Sequence, residues 1–240
     1  MKQTLYLSTA YLDDLMVRMA YHSTAIEGNS LTQGETKSVL IDGYVPRAID
    51  LRELNEVLNY KAFTKEMVRF LKEEREVNGE FIKEIHSILC REAIESVPGK
   101  FKTQPNMVIG ADFTPSPPYR VPMDIEQWRQ DLDYQLKNAA NARTMVEVIC
   151  RQHFRFERIH PFPDGNGRVG RALMVYSALQ QKLPPIVIPV DEKKKYINFL
   201  NTEDLNGFVE FCLALQQKEV ERLKILANER DKVLEIYTEE

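Results

Sequence analysis

The run Ala172-Leu173-Met174-Val175-Tyr176, continued by Ala178 and Leu179, constrains the fold more than any other feature. The stretch from Arg168 to Gln181 is rich in helix formers, and as a helix it is apolar nearly all round. Such a helix has no face to offer water, so it belongs in the middle of a bundle. The residues just before it have the opposite character. His160-Pro161-Phe162-Pro163-Asp164-Gly165-Asn166-Gly167-Arg168-Val169-Gly170-Arg171 gathers a titratable base, a carboxylate, a glycine-rich turn and two guanidinium groups. A charged loop thus rides on a rigid central rod.

The rest of the chain reads mostly as helices. Leu12, Leu15, Met16, Met19, Ser23 and Ile26 keep helical spacing and end at Gly28, a good residue to follow a helix. Thr32-Gln33-Gly34-Glu35 reads as a capping box that opens a short second helix to about Ile41. Further helices are expected from about Leu51 to Glu73, after Asn78, after Asp124 and from about Arg143 to Arg158. From Val220, the positions Leu223, Ala227, Arg230, Leu234 and Tyr237 alternate by three and four. This predicts a C-terminal helix that packs on the core or joins a second copy, although too few heptads are present for a coiled coil. One region breaks the pattern: Pro98, Pro105, Pro115, Pro117, Pro118 and Pro122 crowd into it. Within it, Asn106 to Gly110 and Tyr119 to Val121 are expected as short edge strands of a hairpin. An exposed hairpin edge can add a strand from a partner peptide.

Composition narrows the class without revealing the function. With 43% hydrophobic and 28% charged residues, the 240-residue chain has the makeup of an ordinary soluble globule. Its net charge of −4 argues against general nucleic-acid binding. The three cysteines Cys90, Cys150 and Cys212 lie far apart, with no Cys-x-x-Cys pair. They are expected as reduced, buried thiols in a cytoplasmic protein, and a zinc site is not expected. No basic segment followed by an apolar run marks a secretory leader, and no apolar run would span a membrane.

The loop carries the chemistry. Histidine is the side chain best poised to take a proton near neutral pH. A single aspartate makes no protein cage for a metal, but it suits Mg²⁺, which keeps waters and shares ligands with phosphates. Gly165, Asn166 and Gly167 tolerate left-handed backbone, so successive N–H groups can turn inward as an anion nest. That nest feeds a helix N-terminus, which attracts phosphate. Arg168 and Arg171 share one face of the first turn. Cations are poorly placed there without a bound anion, which argues for a polyphosphate. No Walker sequence Gly-x-x-x-x-Gly-Lys-Ser/Thr occurs in the chain.

From His160 to Arg171 the chain resembles the Fic family, whose signature is His-x-Phe-x-Asp/Glu-Gly-Asn-Gly-Arg-x-x-Arg. The resemblance implies an all-α helical bundle with a β-hairpin flap. It also implies transfer of AMP from ATP to a Tyr, Thr or Ser hydroxyl of a target protein. By that likeness His160 is the general base and Asp164 the Mg²⁺ ligand. Gly165, Asn166 and Gly167 cradle the α/β-phosphates, Arg168 and Arg171 grip the outer ones, and Phe162 anchors the loop. The flap residues Met107, Val108 and Ile109 position the target, and self-modification follows as a side reaction. Tyr196 and Asn198 fall where relatives contact adenine and ribose. Lys102 stands where many relatives carry arginine; it keeps the charge and loses the fork.

Ser23 and Glu27, four residues apart, share a helical face that is otherwise apolar. A carboxylate in that place needs a cationic partner. Ser23, Glu27 and Gly28 match the family's inhibitory motif Ser/Thr-x-x-x-Glu-Gly/Asn, which implies that Glu27 pairs with Arg171 and keeps it from the γ-phosphate. His22, His86 and His153 lie within helices and read as packed residues, His153 as a support for the loop. The expected segments are 1–75 with the inhibitory helix, 76–215 with the flap and loop, and 216–240. Two other activities compete with AMP addition: AMP removal with Glu27 aligning a water, and nucleotide binding without turnover. Phosphoryl transfer, as in the Doc branch, is disfavoured because Gly167 stands where that branch has lysine.

Overall fold

A computed structural model describes residues 2–95, 97–108, 113–227 and 232–239. Among these the elements are β1 (Lys2–Ser8), α1 (Thr9–Ile26), α2 (Gln33–Lys37), α3 (Leu51–Lys72), α4 (Gly79–Leu89), α5 (Val121–Lys137), α6 (Ala142–Ile159), α7 (Asn166–Gln180), α8 (Lys193–Thr202), α9 (Leu205–Ile225) and β2 (Lys232–Glu239). A π-helical turn, Ser38–Asp42, continues α2.

The all-α bundle matches the sequence reading, and the apolar rod is its axis. Every residue of α7 from Arg168 to Leu179 is buried, and α7 packs on α6, α4, α1 and α3. One core of buried side chains runs from Leu7 to Ile236, through all three expected segments. Local signals placed most helix starts. Thr32 and Glu35 make the full capping box. Asn78 accepts from the Phe81 amide to start α4, and Asn141 accepts from the Thr144 amide to start α6. Cys90, Cys150 and Cys212 are all buried and unbridged. No helix among the described residues is long and apolar enough to cross a membrane.

Two expectations are corrected. The C-terminal helix of 216–240 ends at Ile225, and β2 pairs antiparallel with β1, from Lys2 opposite Glu239 to Ser8 opposite Lys232. The spacing of three and four was read across a break. The β-branched Val233 and Ile236 suit a strand, but its partner lies at the far end of the chain, beyond any local pattern. The small sheet is therefore made by the two ends. The hairpin expected between Asn106 and Val121 has no strand among its described residues. Tyr119 lies in a 3₁₀ turn, Pro118–Arg120, that leads into α5, with prolines at 117, 118 and 122 setting helical entry instead of extension. Ile109 to Asp112 fall outside the described residues.

α1 is fixed to α9 by buried charges. Arg18 donates to both Glu219 carboxylate oxygens at 3.0 and 2.6 Å, Tyr11 donates to the same carboxylate, and Asp14 takes the Arg18 Nε at 2.7 Å. Burial opposes the charge on Arg18, yet Glu219 and Asp14 outweigh it and raise the pKa. Removing one partner of such a pair strands the other. Glu219→Ala should cost about 3–5 kcal/mol, read as a lower midpoint in urea denaturation with an unchanged slope.

Candidate active site

The loop between α6 and α7 is built from below. Phe162 is fully buried and stacks on His86, with ring centroids 3.8 Å apart. Asn166 closes the loop back on itself: its Oδ1 accepts from the Phe162 amide and its Nδ2 donates to the Phe162 carbonyl, both at 2.8 Å. His86 Nδ1 accepts from the Gly99 amide at 2.7 Å, which leaves Nε2 to donate to the Asp164 carbonyl at 3.0 Å. Burial drives the His86 pKa down to about 4, so the ring stays neutral and keeps this tautomer. Gly165 takes φ +77 as the residue that caps α7, and a Cβ there would collide with Cys90 Sγ. The loop is therefore set by steric fit as much as by hydrogen bonds.

His160 ends α6 in the left-handed region, φ +48. Its Nδ1 lies 3.3 Å from the Glu157 carbonyl. An Nδ1–H donated there leaves Nε2 as the free acceptor, the form a general base needs. Burial lowers its pKa to about 4, against the Glu157 carbonyl bond that raises it. The imidazole is thus neutral throughout the physiological range.

Asp164 is half exposed at the mouth of the loop. Among the described residues no group of three His, Cys, Asp or Glu side chains could hold a metal on its own. One open carboxylate beside an anion site is a donor set that fits Mg²⁺ shared with phosphates.

The two arginines part company. Arg171 is 6% exposed and held on three sides. Its Nε donates to Ser23 Oγ at 2.9 Å, and one Nη donates to the Ser23 carbonyl at 3.0 Å and to Glu27 Oε1 at 2.6 Å. Burial works against the Glu27 carboxylate, but Arg171 prevails and holds its pKa below the usual range. Glu27 is the last residue capping α1, and Gly28 follows at φ +103. The same carboxylate lies over the first turn of α7, because a Cβ on Gly167 would collide with Glu27 Oε1. Arg168, expected to face the phosphates, is only 1% exposed and turns beneath the loop. It lies 3.5 Å from Glu56 and 3.5 Å from Asp164.

Tyr196 is buried, with its hydroxyl 2.8 Å from His153 Nε2 and its ring beside Arg171; Asn198 is exposed on α8. His153 packs against Gly170, so it supports α7 instead of the loop. Met107 is 88% exposed, Val108 is half-buried and Ile109 lies outside the described residues. Asn106 ties this segment to the loop by donating to the Phe162 carbonyl at 2.8 Å. Lys102 is buried; its Nζ donates to Asn106 at 2.6 Å, and burial lowers its pKa to about 8. Glu56, Glu157 and Asn106 escaped the sequence reading, since nothing in their own neighbourhoods marks them. Burial raises the Glu157 carboxyl to about 7, where it sits against Gly170.

Comparison with known proteins agrees with this geometry. Residues 76–178 match the model of the Fic/DOC family. The chain is similar to protein adenylyltransferase fic-1 of Caenorhabditis briggsae, 31% identical over 84% of this chain and 40% of that protein. Protein adenylyltransferase Fic of Drosophila grimshawi is 29% identical over 82% and 41%. Among solved structures, a Fic-domain-containing signalling protein from Bacteroides thetaiotaomicron superposes with a TM-score of 0.78. It shares 25% identity, over 89% of this chain and 85% of that one. A fragment of Fic-1 from C. elegans gives 0.75 at 28% identity, over 90% and 66%. Residues 76–178 thus belong to the Fic/DOC family, and the fold around them is shared with a Fic-domain-containing protein. It spans about two-fifths of the length of the curated relatives it matches.

Proposed function

We propose that the chain is a protein adenylyltransferase that moves AMP from ATP to a hydroxyl side chain of a target protein, and that Glu27 restrains it. The observation that carries this reading is the place of His160 at the end of α6, with Nδ1 against the Glu157 carbonyl, five loop residues ahead of the anion-attracting start of α7. The names of the curated relatives support the same activity.

In this reading the Gly165–Gly167 backbone receives the phosphates, and Arg171, once released, takes the outer ones. His160 Nε2 accepts the proton of the target hydroxyl as its oxygen attacks the α-phosphorus. The bond from the α-phosphorus to the bridging oxygen breaks, and pyrophosphate leaves. Asp164 would hold Mg²⁺ against the phosphates, and the metal would supply charge stabilisation there. Arg168 acts from beneath by fixing Asp164. The target lies along the segment of Met107 and Val108, where the exposed Met107 is free for contact.

The test is to incubate the protein with ATP labelled on the α- or the γ-phosphate. Label should enter protein from the α-position alone; transfer from the γ-position would overturn the reading in favour of phosphoryl transfer. A second result is expected of the metal site. Divalent-ion binding by calorimetry should be weak without ATP and rise at least about tenfold with it, and Asp164→Ala should remove the rise. Tight binding to the nucleotide-free protein would contradict the single-carboxylate assignment.

A further inference from the structure

Glu56 joins two parts of the molecule that do the opposite things. It lies on α3, faces Arg168 of the signature, and is 3% exposed. Its Oε1 faces Arg168 Nη1 at 3.5 Å, with Arg52 Nε at 3.3 Å. Its Oε2 accepts from Asn29 Nδ2 at 2.9 Å. Asn29 stands two residues past Glu27. Its Nδ2 also donates to the Glu53 carbonyl at 3.0 Å, and its Oδ1 accepts from the Leu31 amide at 3.1 Å. Ser30 adds two bonds to the Glu53 carboxylate. The chain just after the inhibitory glutamate is therefore fastened to α3 by the side chains of Asn29, Ser30, Glu53 and Glu56.

On the other side, Arg168 needs Glu56. Its Nε and Nη1 have no hydrogen-bond partner among the described residues, where the carboxylates within ion-pair distance of it are Glu56 and Asp164. A buried guanidinium between two carboxylates is shared by them. With Glu56 neutral, Asp164 would be the carboxylate left within ion-pair distance of Arg168, and the attraction would favour drawing it inward from the mouth.

We propose that Glu56 is a positioning residue with two ends: through Arg168 it holds Asp164 outward for the nucleotide, and through Asn29 it holds Glu27 over Arg171. The inference rests on the adenylyltransferase reading above. One side chain then sets both the working geometry of the loop and the reach of its inhibitor, which makes the two compete for a common fixed point on α3.

The two ends are separable by mutation of the full chain, with and without Glu27→Gly. Asn29→Ala cuts only the inhibitory end. It should raise AMP incorporation about fivefold or more with Glu27 present and change it less than about twofold in the Glu27→Gly background. Glu56→Gln cuts the loop end. In the Glu27→Gly background it should lower kcat at least about tenfold while the KM for ATP moves less than about threefold, because misplacement costs rate before affinity. It should also weaken ATP-dependent Mn²⁺ binding, read by calorimetry without turnover. Glu56→Asp keeps the charge but draws the carboxylate back from both Arg168 and Asn29, so it should lower kcat in the Glu27→Gly background as Glu56→Gln does, by a smaller factor; it serves if Glu56→Gln does not fold. Equal effects of Asn29→Ala in both backgrounds, or full activity and unchanged Mn²⁺ binding in Glu27→Gly/Glu56→Gln, would overturn the proposal. If Glu27→Gly itself shows no AMP transfer, the reading of the activity has failed, and the Mn²⁺ measurement still decides the role of Glu56.

Discussion

His160→Ala should reduce AMP transfer by about 10²–10⁴-fold while leaving ATP affinity nearly unchanged, since a general base acts on the rate and not on the ground state. The geometry makes this sharper than the residue type alone. His160 sits at φ +48, with its Nδ1 aimed at the Glu157 carbonyl, so one tautomer is favoured and Nε2 is the nitrogen left for the substrate. With its pKa lowered to about 4 by burial, it needs no deprotonation to work at neutral pH. The sign is clear: the active, neutral form is present above that value and lost below it. The rate should therefore be insensitive to this group from about pH 5.5 to 8 and fall only near pH 4. Asparagine tolerates the left-handed region better than alanine, so His160→Asn is the companion that preserves the helix end. Near-wild-type transfer by a folded His160→Asn protein, or a rate that rises through pH 6 to 7 with a single-proton slope lost on mutation, would remove His160 as a base of lowered pKa.

What was legible in the sequence was what short-range pattern encodes. The apolar run Ala172 to Leu179 announced the central helix, and Thr32 with Glu35 announced a capping box, because both signals act over a few residues. The pairing of Glu27 with Arg171 was legible only through the resemblance, since it joins residues 144 positions apart, and the bond from Arg171 to Ser23 was not legible at all. The buried side of the site was not legible. Arg168 looked like a phosphate ligand because a guanidinium at a helix start suits an anion; it is buried facing Glu56, which α3 brings in from 112 residues away in sequence. Tyr196 looked like a nucleotide contact, but α8 packs it inward against His153. The terminal sheet shows the same limit: Lys232 to Ile236 is a strand because Lys2 to Ser8 lies beside it.

Glu27→Gly should raise AMP incorporation, self-modification included, by on the order of a hundredfold. Glu27 does two things at once. It takes one Nη of Arg171 at 2.6 Å, and it stands over the Gly167 backbone where the start of α7 attracts an anion. A nucleotide that enters beside it must lie displaced, and a displacement of about 1 Å in a reacting geometry costs on the order of a hundredfold in rate. Removal of the side chain frees both the arginine and the space. Arg171 does not become an orphan, because Ser23 still accepts from it through Oγ and the backbone carbonyl. The Glu27 side chain is 41% exposed, so its ion pair is screened by water. The loss of stability should therefore stay near 1 kcal/mol. Glycine also sits easily at this position, which caps α1 and is not within it. ATP should then stabilise the variant more than the wild type, by mass action on the better site. The measurements are AMP incorporation at saturating ATP and Mg²⁺, and the rise in melting temperature that ATP gives each protein. A larger ATP-induced rise with no gain in incorporation would keep Glu27 as a block to binding but deny it control of the reaction. Equal or lower incorporation together with an equal rise would end the inhibitory role and make release of AMP from modified protein the activity to assay.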